Sequence, residues 1–195
     1  MGRQKVSPQR LALRGTVLRR EPGRINLHES LLHAQVLANG TPHGMFRVNA
    51  DSLKSYLAFD PIRSIELQKL DKLLKKSAPS LRRYFHQGTP AGEPGMSFKM
   101  IGYGKSSYLA KSGQKVEWPV VGVALQKNYI SVYLSVTRDG APLVQLYAGG
   151  LGGLRAGRNN FSFGKFEDLH VSAVSALFAE AERIFNAPPK VRSKC

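Results

Sequence analysis

The stretch VVGVALQKNYISVYLSV, residues Val120–Val136, decides the class of fold that this chain adopts. Its second half alternates strictly, which would place aliphatic and hydroxyl-bearing side chains on opposite faces of a strand. The aliphatic positions are Ile130, Val132, Leu134 and Val136, and the hydroxyl positions are Tyr129, Ser131, Tyr133 and Ser135. The first half is rich in β-branched residues, and Asn128 separates the two halves. We predict two strands, with one face of the sheet covered and the other face more hydrated.

Further β-like segments flank this stretch. An aromatic-rich run precedes it, and Phe161-Ser162-Phe163 alternates beyond it. The strand-forming positions of the preceding run are Phe98, Met100, Tyr103 and Tyr108. Gly113, Pro119 and Gly140 punctuate the segments, so the middle of the chain predicts a block of strands.

Helical patterns lie on either side of these strands. Asp60-Pro61 combines an N-cap residue with proline at the first helical position. The apolar stripe that follows, which we expect to face the core, consists of Ile62, Ile65, Leu70, Leu73 and Leu74. A C-terminal helical pattern runs from Leu169 to Phe185 and ends at Pro188-Pro189. Helices around a central block of strands predict an α+β domain.

Two shorter helices are also predicted. The first contains Leu53, Tyr56 and Leu57, with Asn49 or Asp51 as its cap. The second follows Pro79 and bears the apolar residues Leu81, Tyr84 and Phe85. The segment from Gly88 to Gly95 is rich in glycine and proline, so we expect a loop there.

The charge of the chain limits its partners. The 195 residues carry a formal net charge of +16, which favours nucleic acid, acidic protein or an anionic lipid surface. The single cysteine is Cys195, and no apolar run reaches membrane-spanning length. We expect a cytoplasmic protein with no membrane partner, and the oligomeric state is left open.

The first 44 residues differ in composition from the rest. They contain seven basic residues and only two acidic ones, Glu21 and Glu29, which predicts a disordered basic arm. We expect a domain over residues 45–187 and a basic tail over residues 188–195. An Arg-rich, acid-poor start is also typical of an organelle transit peptide. A reading frame extended upstream of Met45 is a third interpretation, and all three stay open.

The glycine-rich stretch from Gly149 to Phe163 resembles a phosphate loop, since Gly152 to Asn159 reads G-x-x-x-x-G-R-N. A true phosphate loop leads directly into a helix, whereas Phe161-Ser162-Phe163 is strand-like. Asn159 also lacks the hydroxyl that would hold magnesium. We therefore reject an NTP-hydrolysing loop. Two interpretations remain: a structural turn with solvated arginines, or an anion-recognising loop built from Arg155, Gly157 and Arg158.

Nucleic-acid binding is the main alternative to a small-ligand module. Aromatic and basic residues interleave along the strands, as base stacking combined with phosphate contact would require. The aromatic residues are Tyr103, Tyr108, Trp118, Tyr129 and Tyr133, and the lysines are Lys99, Lys105, Lys111, Lys115 and Lys127. The competing interpretation is that these aromatics belong to the core and rim of an ordinary sheet.

Several short motifs occur together in order. They are Met100-Ile-Gly-Tyr-Gly104, Trp118–Ala124, Asn128–Tyr133, Leu151-Gly152 with Gly157-Arg158, and Phe166–Leu169. In order and spacing this set resembles the YdhG-like family of uncharacterised bacterial domains, over roughly residues 46–185. The resemblance implies a curved, mainly antiparallel sheet packed against N-terminal and C-terminal helices, in a bacterial and mostly cytoplasmic setting, with no known reaction. The family's usual Gly-Lys-Ser-Cys reads Gly157-Arg158-Asn159-Asn160 here.

A branch of that family resembles frataxin and is linked to iron delivery, which needs clustered carboxylates or histidines. This chain shows no ligand spacing among its five histidines, and its positive charge would repel a cation. We expect no cofactor, no metal and no catalytic residues, and favour a non-enzymatic binding module for an anionic ligand, either a small molecule or a nucleic acid. The expected ligand-binding residues are Arg155, Gly157, Arg158, Tyr103, Trp118 and Tyr133.

Overall fold

The computed structural model describes residues 46–110, 112–152 and 155–188. The predicted arm of residues 1–44 and nearly all of the predicted tail lie outside the described residues. The helices are α1 (Leu53–Ala58), α2 (Pro61–Ser77), α3 (Leu143–Tyr147) and α4 (Val171–Asn186), with 3₁₀ turns at Ala148–Gly150 and Phe166–Asp168. The strands are β1 (Arg83–His86), β2 (Met100–Leu109), β3 (Lys115–Leu125), β4 (Ile130–Leu134), β5 (Thr137–Arg138), β6 (Ala141–Pro142), β7 (Arg155–Ala156) and β8 (Asn160–Phe163).

Six of these strands form one antiparallel sheet in the order β1-β2-β3-β4-β8-β7, and β5 pairs with β6 in a small hairpin. The sheet is open rather than closed into a barrel. Helices α2 and α4 pack against each other, and α4 also contacts β3. The α+β class, with an antiparallel sheet packed against N-terminal and C-terminal helices, is therefore confirmed.

One face of the sheet provides the core. Ile101, Val123, Val132 and Phe161 lie side by side across the four central strands, and each is at most 1% exposed. They join one apolar cluster with buried residues of α2 and α4. This row explains why the alternation in β4 predicted its strand correctly: its aliphatic positions are the ones the helices cover.

The opposite face is less hydrated than the sequence predicts. Ser131 of β4 is buried, and its hydroxyl lies 2.8 Å from the hydroxyl of Ser162 on β8. The ring of Tyr133 packs on that of Phe98, with centroids 5.6 Å apart. The prediction of a hydrated hydroxyl face is wrong at Ser131, because a partner on the neighbouring strand satisfies this hydroxyl away from water.

Helix α2 also differs from its predicted stripe. Ile62 and Ile65 are 55% and 59% exposed, whereas Arg63 and Asp71 are buried on the face that contacts the core. Arg63 pairs with Asp60 and donates through Nη1 to the backbone carbonyls of Gln126 and Tyr129 in the β3–β4 turn. The predicted apolar stripe is wrong at the N-terminal end of α2. The face that contacts the core there carries a charged residue with partners elsewhere in the fold, and the isoleucines point to solvent.

Two predictions about the N-terminal segments need correction as well. Helix α1 exists, but its cap is Ser52, whose hydroxyl accepts from the backbone N–H of Ser55. The predicted helix after Pro79 is instead strand β1, which pairs with β2. Tyr84 there packs its ring over Gly102, where any side chain would collide with it. Pairing with β2 outweighs the local helical spacing.

Candidate functional site

The site begins where β2 and β3 extend beyond the rest of the sheet. Residues 105–109 of β2 pair with residues 115–119 of β3, while β1 pairs only as far as Tyr103 and β4 only from Val121. We call residues 105–119 the ribbon. Gly104, at its base, has a φ of +65°, and an added Cβ would lie 2.8 Å from the Leu81 side chain. A glycine is therefore required where the ribbon leaves the sheet.

An open cleft lies between the ribbon and the end of α4. Its volume is about 1030 Å³, at the upper end for small-molecule sites. Ile184 and Phe185, in the last turn of α4, form part of its lining. The remaining lining comes from the ribbon, from residues 133–137 as the chain leaves β4, from Gly140 and Pro142, and from Arg158 and Asn159.

Three of the six residues expected to bind ligand meet in this cleft: Trp118, Tyr133 and Arg158. Trp118 makes an edge-to-face contact with Tyr108, with ring centroids 6.2 Å apart. Burial raises the pKa of Tyr133, so its phenol stays protonated at neutral pH. Arg158 is exposed, and its side chain has no hydrogen bond or ion pair within the part of the chain that the structure describes.

The charged side chains that line the described part of the cleft are all positive. Its described lining contains two cations, Lys105 and Arg158, and no carboxylate. Lys105 has other neighbours, since its Nζ lies 3.7 Å from Glu117 and 5.2 Å from the ring centre of Tyr84. Both contacts are on an exposed side chain and are weak. Arg158 is therefore the cation that is best available to an anionic ligand.

The other predicted residues of the glycine turn do not join the cleft. Arg155 is exposed on the edge strand β7 and is absent from the cleft lining. The backbone N–H of Gly157 donates to the carbonyl of Asn160 at 2.7 Å, and a side chain at position 157 would collide with that of Asn160. Gly157 therefore offers no free N–H to an anion, because the turn already uses it.

Tyr103 lies in the core and cannot touch a ligand in the cleft. It is 1% exposed, and its hydroxyl donates to Asp71 Oδ1 at 2.6 Å. Asp71 also pairs with Arg83 at 2.7 Å and with Lys75 at 2.9 Å. Burial alone would raise the pKa of Asp71, but these donors outweigh it and hold the pKa below its ordinary value. Tyr103 is therefore a structural residue that ties α2 to β2.

The aromatic and basic residues considered for nucleic-acid binding scatter over the fold. Tyr129 lies in the β3–β4 turn, at the opposite end of β3 from the ribbon. The ammonium group of Lys99 donates to the carbonyl of Ala50 at 2.6 Å. Among the members of this set that the structure describes, only Tyr108, Trp118, Tyr133 and Lys105 share the cleft. No continuous stacking surface runs along the described strands.

Several lining residues gave no functional signal in the sequence. In the sequence, Ile184 and Phe185 have the spacing of a helix that faces the core. The serine and threonine residues of the lining lie in strand and loop segments that contain no recognisable motif. Those hydroxyl residues are Ser106, Ser107, Ser135 and Thr137. The Oγ1 atom of Thr137 is buried and has no hydrogen-bond partner among the described residues. Only the fold could show that these residues border one space.

Comparison of the chain with family models, curated proteins and solved structures finds no match. Within residues 46–110, 112–152 and 155–188, no three His, Cys, Asp or Glu side chains lie close enough together to hold a metal ion. None of the helices described here has the length and hydropathy to span a bilayer. Function is therefore argued from the cleft itself.

Proposed function

We propose that the protein is a non-enzymatic binding module that holds an anionic ligand in the cleft. The observation that carries this proposal is the meeting of Arg158, Trp118 and Tyr133, with Lys105, around one space whose described lining has no carboxylate. A guanidinium without an internal partner is the side chain best suited to a carboxylate or a phosphate.

The second candidate is nucleic-acid binding through the ribbon. A two-stranded ribbon has the width that enters a major groove, and this one carries exposed Lys105, Lys115 and Tyr108. Such binding would rest on many weak phosphate contacts. It would depend little on any one arginine.

Arg155 provides a matched control for Arg158, because both are exposed and only Arg158 lines the cleft. Binding is measured by calorimetry, at low and physiological salt, for inorganic phosphate, benzoate, octanoate, adenosine monophosphate and random-sequence DNA. We expect Arg158→Ala to weaken binding of a small anion at least tenfold, Arg158→Lys to weaken it less, and Arg155→Ala to leave it unchanged. DNA binding that is tight, salt-sensitive and equally indifferent to both arginines would replace this proposal with the second candidate.

We also propose that the chain is related to YdhG-like domains and that it works in the cytoplasm. The first is supported by where the motif residues lie: Met100–Gly104 in β2, Trp118–Ala124 in β3 and Asn128–Tyr133 leading through β4. The second is supported by the use of a single cysteine. A crystal structure of a YdhG-like protein with the same strand order and the same cleft would support the first, and a different strand order would oppose it.

A further inference from the structure

Part of the cleft lining is apolar, which narrows the class of ligand. The partly exposed side chains of Val136, Pro142 and Phe185 form this part, which we call the floor. Leu134 and Ile184 also line the cleft, but they are 3% and 4% exposed and belong to the buried core. A ligand made only of polar groups would leave its own hydrogen-bonding groups unpaired against this floor, at a free-energy cost.

The cationic group lies next to this floor. The backbone N–H of Leu134 donates to the carbonyl of Asn159 at 2.9 Å, which fixes the Arg158-Asn159 segment beside the end of β4. Thr137 lines the same cleft, but its Oγ1 atom is covered by protein atoms and is not part of the surface offered to a ligand.

We infer that the ligand is an amphipathic anion, with a carboxylate or similar head at Arg158 and an apolar body lying on the floor formed by Val136, Pro142 and Phe185. This inference rests on the proposed function, since it specifies the ligand of the same cleft. Trp118 forms an aromatic wall beside the apolar body, and Lys105 adds a second positive charge at the rim. The cleft is large enough for a body of several carbon atoms.

A homologous series separates the two parts of the ligand. Calorimetry compares acetate, butyrate, hexanoate and octanoate with uncharged octanol, using the full chain. Affinity should rise about fourfold for each methylene group that reaches the floor. Arg158→Ala should weaken all the carboxylates by one common factor and leave the dependence on chain length intact, with octanol unaffected.

A floor variant tests the apolar half. Val136→Thr replaces a methyl group with a hydroxyl of similar size and should flatten the dependence on chain length, whereas Val171→Thr, the same change at an exposed position outside the cleft, should not. Circular dichroism checks that both variants fold. If Val136→Thr does not fold, Trp118→Ala takes its place, and the same flattening is expected.

The outcomes distinguish this inference from the proposal on which it rests. Arg158-dependent binding of acetate or phosphate as tight as that of octanoate would overturn the amphipathic ligand and leave the anion site standing. Octanol bound as tightly as octanoate, with no effect of Arg158→Ala, would overturn the anion site itself. No measurable binding of any member of the series would overturn the amphipathic ligand, and it would overturn the anion site as well if phosphate and adenosine monophosphate also fail to bind.

Discussion

Replacing Tyr103 by phenylalanine tests the assignment of this residue to the core rather than to the ligand site. The change removes one hydroxyl, which donates to Asp71 Oδ1 at 2.6 Å in a place that is 1% exposed, and leaves the ring in position. A hydrogen bond to a charged acceptor contributes about 1.5–3 kcal/mol to the free energy of unfolding. In a chain of this size each 1 kcal/mol shifts the melting temperature by about 2–4 °C, so a loss of about 2 kcal/mol lowers it by about 4–8 °C.

The pH dependence gives this prediction a second measurable feature. The pKa of Asp71 in the folded protein lies below its ordinary value, so its contribution to stability is present above about pH 4 and is lost as the pH falls through the folded-state pKa. Tyr103→Phe removes a donor that favours the carboxylate, which raises that pKa. The difference in stability between wild type and variant should therefore be largest above about pH 4 and should narrow below it.

The assay is thermal unfolding followed by circular dichroism between about pH 3 and pH 7. Tyr129→Phe is the matched control, because Tyr129 lies in the β3–β4 turn and is 39% exposed. The melting temperature of this variant should equal that of wild type. Ligand binding by Tyr103→Phe should be unchanged. Equal melting temperatures for wild type and Tyr103→Phe, or a difference that grows as the pH falls, would refute the reasoning.

Three further predictions concern the rest of the molecule. Asp60→Ala removes the carboxylate that accepts from the N–H groups of Ile62 and Arg63, and it leaves the charge of Arg63 buried without its partner. Urea unfolding should therefore show that the free energy of unfolding falls by about 3–5 kcal/mol. A fall below about 1 kcal/mol would contradict this prediction. A chain that begins at Met45 should keep the wild-type melting temperature, because the sequence of residues 1–44 has little apolar periodicity and mostly like charge; a drop of many degrees would show that the preceding segment packs onto the domain. Calorimetry near neutral pH should detect no stoichiometric, micromolar binding of iron or zinc, and such binding would reveal ligands that the described residues do not bring together.

Local signals in the sequence predicted much of the fold. Asp60-Pro61 identified the start of α2 because a cap and a proline act on the adjacent turn. The alternation through Ile130–Leu134 identified β4 because one face of this strand is buried by the helices. Strand β1 was mistaken for a helix, since what makes it a strand is its pairing with β2, which is remote in sequence.

The errors in α2 and in the candidate site have a similar cause. The buried positions of Arg63 and Asp71 depend on partners far along the chain, among them Tyr103 and Tyr129. In the site, Arg158, Trp118 and Tyr133 line one cleft, whereas Tyr103 lies in the core, and whether the cleft binds a ligand stays a prediction. The chemistry of a residue can be seen in the sequence, whereas the space that it borders depends on contacts between distant parts of the chain.

Trp118 allows the central claim, that the cleft binds an anion through Arg158, to be tested in one measurement. It is the single tryptophan of the chain and it lines the cleft, so its fluorescence reports directly on that space. In titrations with octanoate and, separately, adenosine monophosphate, we predict that at least one ligand shifts the Trp118 emission saturably in wild type and in Arg155→Ala, and that Arg158→Ala abolishes the shift at the same concentrations. An emission that does not change with either ligand, or that changes equally in wild type and Arg158→Ala, would contradict the claim.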